Sequence, residues 1–217
     1  MQTGNAFRDW VDYFDAMTPV GGSRTLMMAV GNHEYRGDAS VPLWKRFFGV
    51  TAHDNHYSVE LGHARVIVLN SCFEDDGALV DSQLDWLTRE LARPADWKFV
   101  VFHHPPYAVG IFNNPISPRK EWKILQERFV PLFETFKVDM VLNGHTHIFE
   151  RSRKNGVNYL TAGPAGGKMG ISGASNPYSV LDQHVRTMTH FELDGHNLRA
   201  VSFDQNGRQL DEMTLKK

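Results

Sequence analysis

Val138-Asp139-Met140-Val141-Leu142-Asn143-Gly144-His145-Thr146-His147 is a largely apolar run that breaks at a glycine and delivers two histidines. Its first part, Val138 to Leu142, is short and bounded, and it reads as a buried strand. Two other stretches repeat the arrangement. Leu26-Met27-Met28-Ala29-Val30 leads into Gly31-Asn32-His33-Glu34, and Phe99-Val100-Val101-Phe102 leads into His103-His104-Pro105-Pro106-Tyr107. In an open α/β sheet the site lies just beyond the carboxyl ends of strands. Three such ends gather imidazole nitrogens and an amide oxygen at one edge, a donor set suited to Zn, Fe, Mn or Co. Gly31 and Gly144 let the chain turn sharply, so the next side chain can face that edge. His145 and His147 alternate, so an extended segment would point both rings to one side.

Working outward, Ala6 to Met17 predicts a helix with Phe7, Trp10, Val11, Phe14 and Met17 on one face, broken by Pro19 and Gly21-Gly22. Ser40 to Phe48 predicts a short helix with Ser40 as N-cap and Pro42 in its first turn. Tyr57 to Leu61 and Arg65 to Leu69 predict two strands about a turn at Gly62-His63. Asp81 or Ser82 caps a helix whose Leu84, Leu87 and Leu91 share a face, and Pro94 closes it. Trp122, Leu125, Phe129, Leu132, Phe133 and Phe136 mark another helix, in which Pro131 predicts a kink or two shorter helices. Tyr159 to Thr161 predicts a fourth strand, followed by the glycine-rich loop Gly163 to Gly173. Beyond about Ser179 the pattern changes. Thr187 to Leu193, Leu198 to Phe203 and Leu210 to Leu215 read as strands joined at Asp194-Gly195 and Asn206-Gly207, an antiparallel meander from about residue 185. Mixed strands and helices followed by this meander predict α/β layers in one domain over residues 1–217.

Composition narrows the function. The 217 residues carry 23 Lys plus Arg against 25 Asp plus Glu, so no whole-chain basic field is available to hold nucleic acid or an anionic membrane. Cys72 is the only cysteine, which excludes a disulfide scaffold. No apolar run is long enough for a membrane-spanning helix. Met1 to Asn5 lacks the basic stretch and apolar core of a signal peptide. His33-Glu34 does not open a zincin helix, because the second histidine of that pattern would fall at Gly37. Gly167-Lys168 is not a phosphate-binding loop of the Walker type, since Ala162 and Met169 occupy two of its required positions. Cys72 follows an apolar strand without a partnered base and reads as a buried thiol. His53, His56, His63, His184, His190 and His196 lie outside the strand-end pattern and read as surface or packing residues.

Together the motifs resemble the calcineurin-like metallophosphoesterase superfamily, and within it the purple acid phosphatase-like branch. The matching residues are Gly31-Asn32-His33-Glu34, then His103 in a His-x-Pro-x-Tyr context ending at Tyr107, then Gly144-His145-Thr146-His147 continuing through Phe149-Glu150-Arg151. Tyr57-Ser58, Gln83, Trp86-Leu87, Leu91, Gly163 and Gly166-Gly167 add weaker support. The resemblance implies an α/β fold of the metallophosphoesterase type, a β-sandwich flanked by helices in four αββα layers, and a two-metal site of Fe, Zn or Mn. It implies that Asn32, His103 and His145 bind one metal and His147 the other. His33 would act on the phosphoryl group or protonate the leaving oxygen, and His104 would also touch phosphate. The implied activity is hydrolysis of small phosphate monoesters. Phosphodiesters, nucleotides or pyrophosphates are alternative substrates, and a metal-binding module without turnover is an alternative role.

The departure from the family lies upstream. The family supplies an Asp from a first strand and a Gly-Asp motif whose Asp bridges the metals, and neither precedes Asn32. Asp9, Asp12 and Asp15 fall on a helical pattern. The expectation is therefore the C-terminal portion of a longer enzyme, or a late start, with at most one metal held by this chain alone.

Overall fold

The computed structural model describes residues 2–50, 55–73, 76–110, 119–171, 173 and 175–217. His53 and most of the loop from Val109 to Lys120 lie outside the described residues, as do Ser172 and Ala174 of the glycine-rich loop.

A seven-stranded sheet carries the fold. Its strands are β1 (Tyr57–Leu61), β2 (Ala64–Val68), β3 (Trp97–Val101), β4 (Met140–Asn143), β5 (Phe149–Lys154), β6 (Val157–Thr161) and β7 (Ser179–Gln183). They lie in the order β1-β2-β3-β4-β6-β5-β7. β2, β3, β4 and β6 are mutually parallel, so their carboxyl ends share one edge. Strands buried on both faces read as continuous apolar runs, which is why β3 and β4 are legible. The meander forms a separate sheet of β8 (Thr187–Asp194), β9 (Asn197–Asp204) and β10 (Gln209–Lys216), with β9 central.

The sheets pack face to face. Ala64, Val66, Val68, Trp97, Phe99, Met140 and Leu160 meet Phe191, Leu198, Met213 and Leu215 between them. On the other face of the large sheet, α3 (Ala78–Ala92), α4 (Lys120–Ile124), α5 (Val130–Thr135) and the turn between the last two bury Leu87, Leu91, Ile124, Phe129 and Phe133 against Ile67, Val100 and Val141. Helices α1 (Phe7–Gly21) and α2 (Pro42–Phe48) build a third cluster around Trp10 and Trp44.

The stretch from Leu26 to Val30 links these layers. Met27 and Ala29 join the inter-sheet core, while Met28 and Val30 join the α1–α2 cluster. That alternation is the period of an extended chain. The segment is not a strand, however, because no described strand pairs with it. The segment thus bridges the inter-sheet core and the α1–α2 cluster, in the layered α/β arrangement of a metallophosphoesterase fold.

Several local expectations are corrected. α1 continues through Pro19 to Gly21, and only Trp10 of its predicted face is fully buried. Ser40 does not cap α2: its hydroxyl and its amide both donate to Asp38 Oδ1, and Val41 occupies the cap at φ 45°. α3 starts at Ala78, ahead of the predicted caps. Asp81 instead accepts from Arg128 at 2.7 Å, and Ser82 donates back to the Leu79 carbonyl. Between α4 and α5 a π-helical turn spans Leu125–Phe129, and the Val130 amide reaches back to the Leu125 carbonyl. Pro131 has no amide hydrogen to continue an α-helical ladder, and the wider turn just before it absorbs that loss. β5 is an additional strand. It is joined to β6 by Asn155-Gly156 at φ 48° and 88°, the left-handed pair that a tight hairpin requires.

Candidate active site

Three segments converge at the shared edge. β3 ends at Val101 and passes through Phe102 to His103 and His104, β4 ends at Asn143 before His145, and the extended Leu26–Val30 segment ends before Asn32. His103 Nε2 lies 2.7 Å from Asn32 Oδ1, to which it donates, and 3.0 Å from His145 Nδ1. Donor atoms bound side by side to one ion at about 2.1 Å lie about 3 Å apart. Asn32 and the two imidazoles therefore fit a single transition metal. Burial, reinforced by the neighbouring imidazoles, holds His103 well below its usual pKa. Burial first, then the His104 imidazole and the Arg119 guanidinium, bring His145 down to about 3. Both rings are thus neutral, the form that ligates metal.

The backbone aims these groups. His145 has φ 68° and His147 φ 56°, both left-handed. The Thr146 amide donates to the Gly144 carbonyl at 2.8 Å, which makes His145 the centre of a three-residue γ-turn. The predicted extended geometry at His145 and His147 is therefore replaced by two strained residues, each costing about 1–3 kcal/mol. The Gly170 amide donates to the His147 carbonyl at 2.9 Å and holds this arrangement. At the first segment, the Gly31 amide donates to Glu34 Oε2 at 2.8 Å and braces the turn that presents Asn32. Burial raises the Glu34 pKa. Gly31 packs against His103, since a Cβ there would sit 2.8 Å from its Nδ1.

A pocket of about 320 Å³ opens over this cluster, and Asn32, His33, His103, His145 and His147 all line it. His33 Nδ1 donates to the Gln2 carbonyl at 3.0 Å, and His147 Nδ1 donates to the Lys168 carbonyl at 2.6 Å. Each bond fixes the tautomer with the lone pair on Nε2. His147 does not join the tight group of Asn32, His103 and His145. It stands across the pocket beside Gly167, where a Cβ would lie 2.9 Å from its ring.

His104 is placed behind the pocket wall and not on it. It is 3% exposed, its Nδ1 donates to the Ser71 carbonyl at 2.9 Å, and its ring lies 4.5 Å from that of His145. Cys72 is largely buried and its thiol is pushed up by burial, in keeping with an inert thiol. The pocket also recruits Arg36, Arg119 and the stretch Met169 to Ile171, which sequence reasoning missed. No motif marks the two arginines. Only the position of Arg36 three residues after His33 offered a signal.

The sequence pattern described as calcineurin-like phosphoesterase matches residues 2–149. An uncharacterized protein of Mycobacterium tuberculosis is 31% identical over 171 residues, covering 67% of this chain and 31% of its own length. Purple acid phosphatase 18 of Arabidopsis thaliana is 25% identical over 188 residues, covering 75% of this chain and 41% of its own length. The chain thus spans about a third to two fifths of the length of these relatives. In fold, the yellow lupin purple acid phosphatase PPD1 aligns with a TM-score of 0.82 at 18% identity, over 99% of this chain and 44% of that one. With the strand-end motifs, the converging donors and these similarities on one edge of one sheet, the chain belongs to the calcineurin-like metallophosphoesterase family, in its purple acid phosphatase-like branch.

Proposed function

We propose that the site serves metal-dependent hydrolysis of small phosphate monoesters. The observation that carries this reading is the approach of His103 Nε2 to within 2.7 Å of Asn32 Oδ1 and 3.0 Å of His145 Nδ1, atoms brought in by three separate segments. The purple acid phosphatase names of its relatives supply the substrate class. Asn32, His103 and His145 hold one metal and His147 Nε2 contributes to a second, drawn from Fe, Zn or Mn. An Arabidopsis relative named for Fe(3+) and Zn(2+) favours that range. This chain alone, with one imidazole at the second position, holds at most one metal tightly.

Bound metals supply Lewis acidity, lowering the pKa of water and offsetting phosphoryl charge. The chain's own residues do the rest. Arg36 and Arg119 bring positive charge to the pocket mouth, where a phosphoryl dianion enters. His33, held through Nδ1 by the Gln2 carbonyl, directs Nε2 at the leaving oxygen, and the imidazolium form of the ring delivers the proton from that atom. The γ-turn at Gly144–Thr146 and the Lys168 carbonyl hold His145 and His147 in place before substrate arrives.

Paired variants test the assignment. In an enzyme that carries both metals, His145→Ala is expected to lower metal content and aryl phosphate turnover together. His33→Ala is expected to leave metal content intact while turnover falls by about 10²–10⁴-fold. Equal metal loss in both would overturn the role given to His33. Undiminished metal content in His145→Ala would overturn the site.

A further inference from the structure

We propose that His104 Nε2 is a further donor to the metal held by Asn32, His103 and His145, making a cage of three imidazoles and one amide. The inference rests on the metal-binding reading above and adds a ligand to it. His103 and His104 are sequential, and in a regular strand their rings would point to opposite faces. Beyond the end of β3 the chain is no longer a strand, and the two ring centroids lie 4.9 Å apart. His104 packs at 4.5 Å from His145. One ring nitrogen from each of His103, His104 and His145 lies within 4.8 Å of the others.

The hydrogen bonding of His104 is that of a ligand. A metal-bound imidazole donates its other N–H to a carbonyl or carboxylate, which fixes the ring and leaves a lone pair for the ion. His104 does this through Nδ1, at 2.9 Å from the Ser71 carbonyl, while its own amide donates to Ser71 Oγ at 3.0 Å. Ser71 thus grips both the ring and the backbone of His104. Among the described residues no hydrogen bond reaches His104 Nε2, although the side chain is almost fully buried. Donors around one ion lie about 3.0–3.4 Å apart. Drawing the cluster in from 4.8 Å takes small rotations of the imidazole rings.

The test uses the 217-residue chain with Zn(II) and Co(II) as probes. In ¹⁵N-histidine NMR, one equivalent of Zn(II) is expected to shift Nε2 of His104 together with the nitrogens of His103 and His145. His104→Ala is expected to weaken Zn(II) about 10–100-fold and to change the visible spectrum of bound Co(II). His103→Ala serves as the separate check on the metal site itself. Loss of binding in His103→Ala with His104→Ala unchanged would overturn the role of His104 and leave the proposed site standing. Wild-type affinity in both variants, or no Zn(II) bound by the wild-type chain, would overturn both readings. If His104→Ala fails to fold, the wild-type spectrum decides: a His104 Nε2 resonance that does not move with Zn(II) refutes the inference.

Discussion

Gly31→Ala tests the site with one methyl group. The residue lies outside the left-handed region, so alanine is tolerated by the backbone and the perturbation is steric. The new Cβ would stand 2.8 Å from His103 Nδ1, 2.9 Å from Glu34 Oε2 and 3.0 Å from His103 Cε1. Ordinary contact begins at 3.4 Å, so the His103 ring must retreat by 3.4 − 2.8 = 0.6 Å. Productive sites are held to within about 0.5 Å, and misplacing what orients a ligand lowers metal affinity about 10–100-fold. Overpacking of this kind removes about 1–3 kcal/mol of stability, which leaves most domains folded. Gly166→Ala is the control, because a Cβ there meets nothing within 4 Å. Calorimetric Zn(II) titration and thermal unfolding of both variants measure the effect. A folded Gly31→Ala protein with wild-type affinity, or an equal loss in Gly166→Ala, would refute the steric link between Gly31 and His103.

Two further outcomes follow from charge placement. Burial raises the Glu90 pKa, but hydrogen bonds from Ser58 and Arg93 and the charges of Arg93 and Arg65 outweigh it and hold the carboxyl below its ordinary value. The folded state then binds protons less readily than the unfolded chain, so the Glu90 contribution is full above about pH 4.5 and is lost as pH falls through the folded value. Glu90→Gln is expected to flatten the acid limb of urea-unfolding stability between pH 5 and 3 and to remove about 1–3 kcal/mol at pH 7 by weakening the pairing of buried Arg65, which keeps Glu60; an unchanged slope would contradict this. At the pocket mouth, Arg36→Ala and Arg119→Ala are each expected to raise the aryl phosphate KM about 3–10-fold with kcat changed less, as exposed charges contribute modestly; a kcat loss with KM unchanged would place these arginines in the chemical step.

What the sequence made legible was whatever one strand or one turn decides by itself. β3 and β4 are apolar apart from Lys98 and Asn143 because both faces are covered, and the histidines after them stand at the edge where parallel strands end together. The Leu26–Val30 run carries the same local signal, yet strand identity depends on a neighbour to pair with, which no local pattern encodes. β5 was hidden because Phe149-Glu150-Arg151-Ser152-Arg153-Lys154 is highly polar. Glu150 is buried there only because Asn176, Ser152 and the Val109 amide satisfy its carboxylate. The Asn155-Gly156 pair is the local mark of its hairpin. The geometry at His145 and His147 was out of reach, because left-handed histidines are held by contacts such as Gly170 to His147 that span the glycine-rich loop. Arg36 and Arg119 enter the pocket from two separate parts of the chain, so neither carries a motif.

The π-helical turn at Leu125–Phe129 sets a rotational phase. An α-helix advances about 100° per residue, so a wide turn in its middle fixes the angle between the faces on either side. Downstream, α5 keeps Phe133 in the core. Upstream, α4 turns Trp122 toward the histidines, with its ring 5.5 Å from His145 and 6.0 Å from His104. Deleting one residue from the wide turn would restore a regular helical pitch and swing Trp122 about 100° around the axis, off the imidazoles, with α5 still docked. The wide turn ahead of Pro131 thereby clocks an indole against the back of the candidate metal centre.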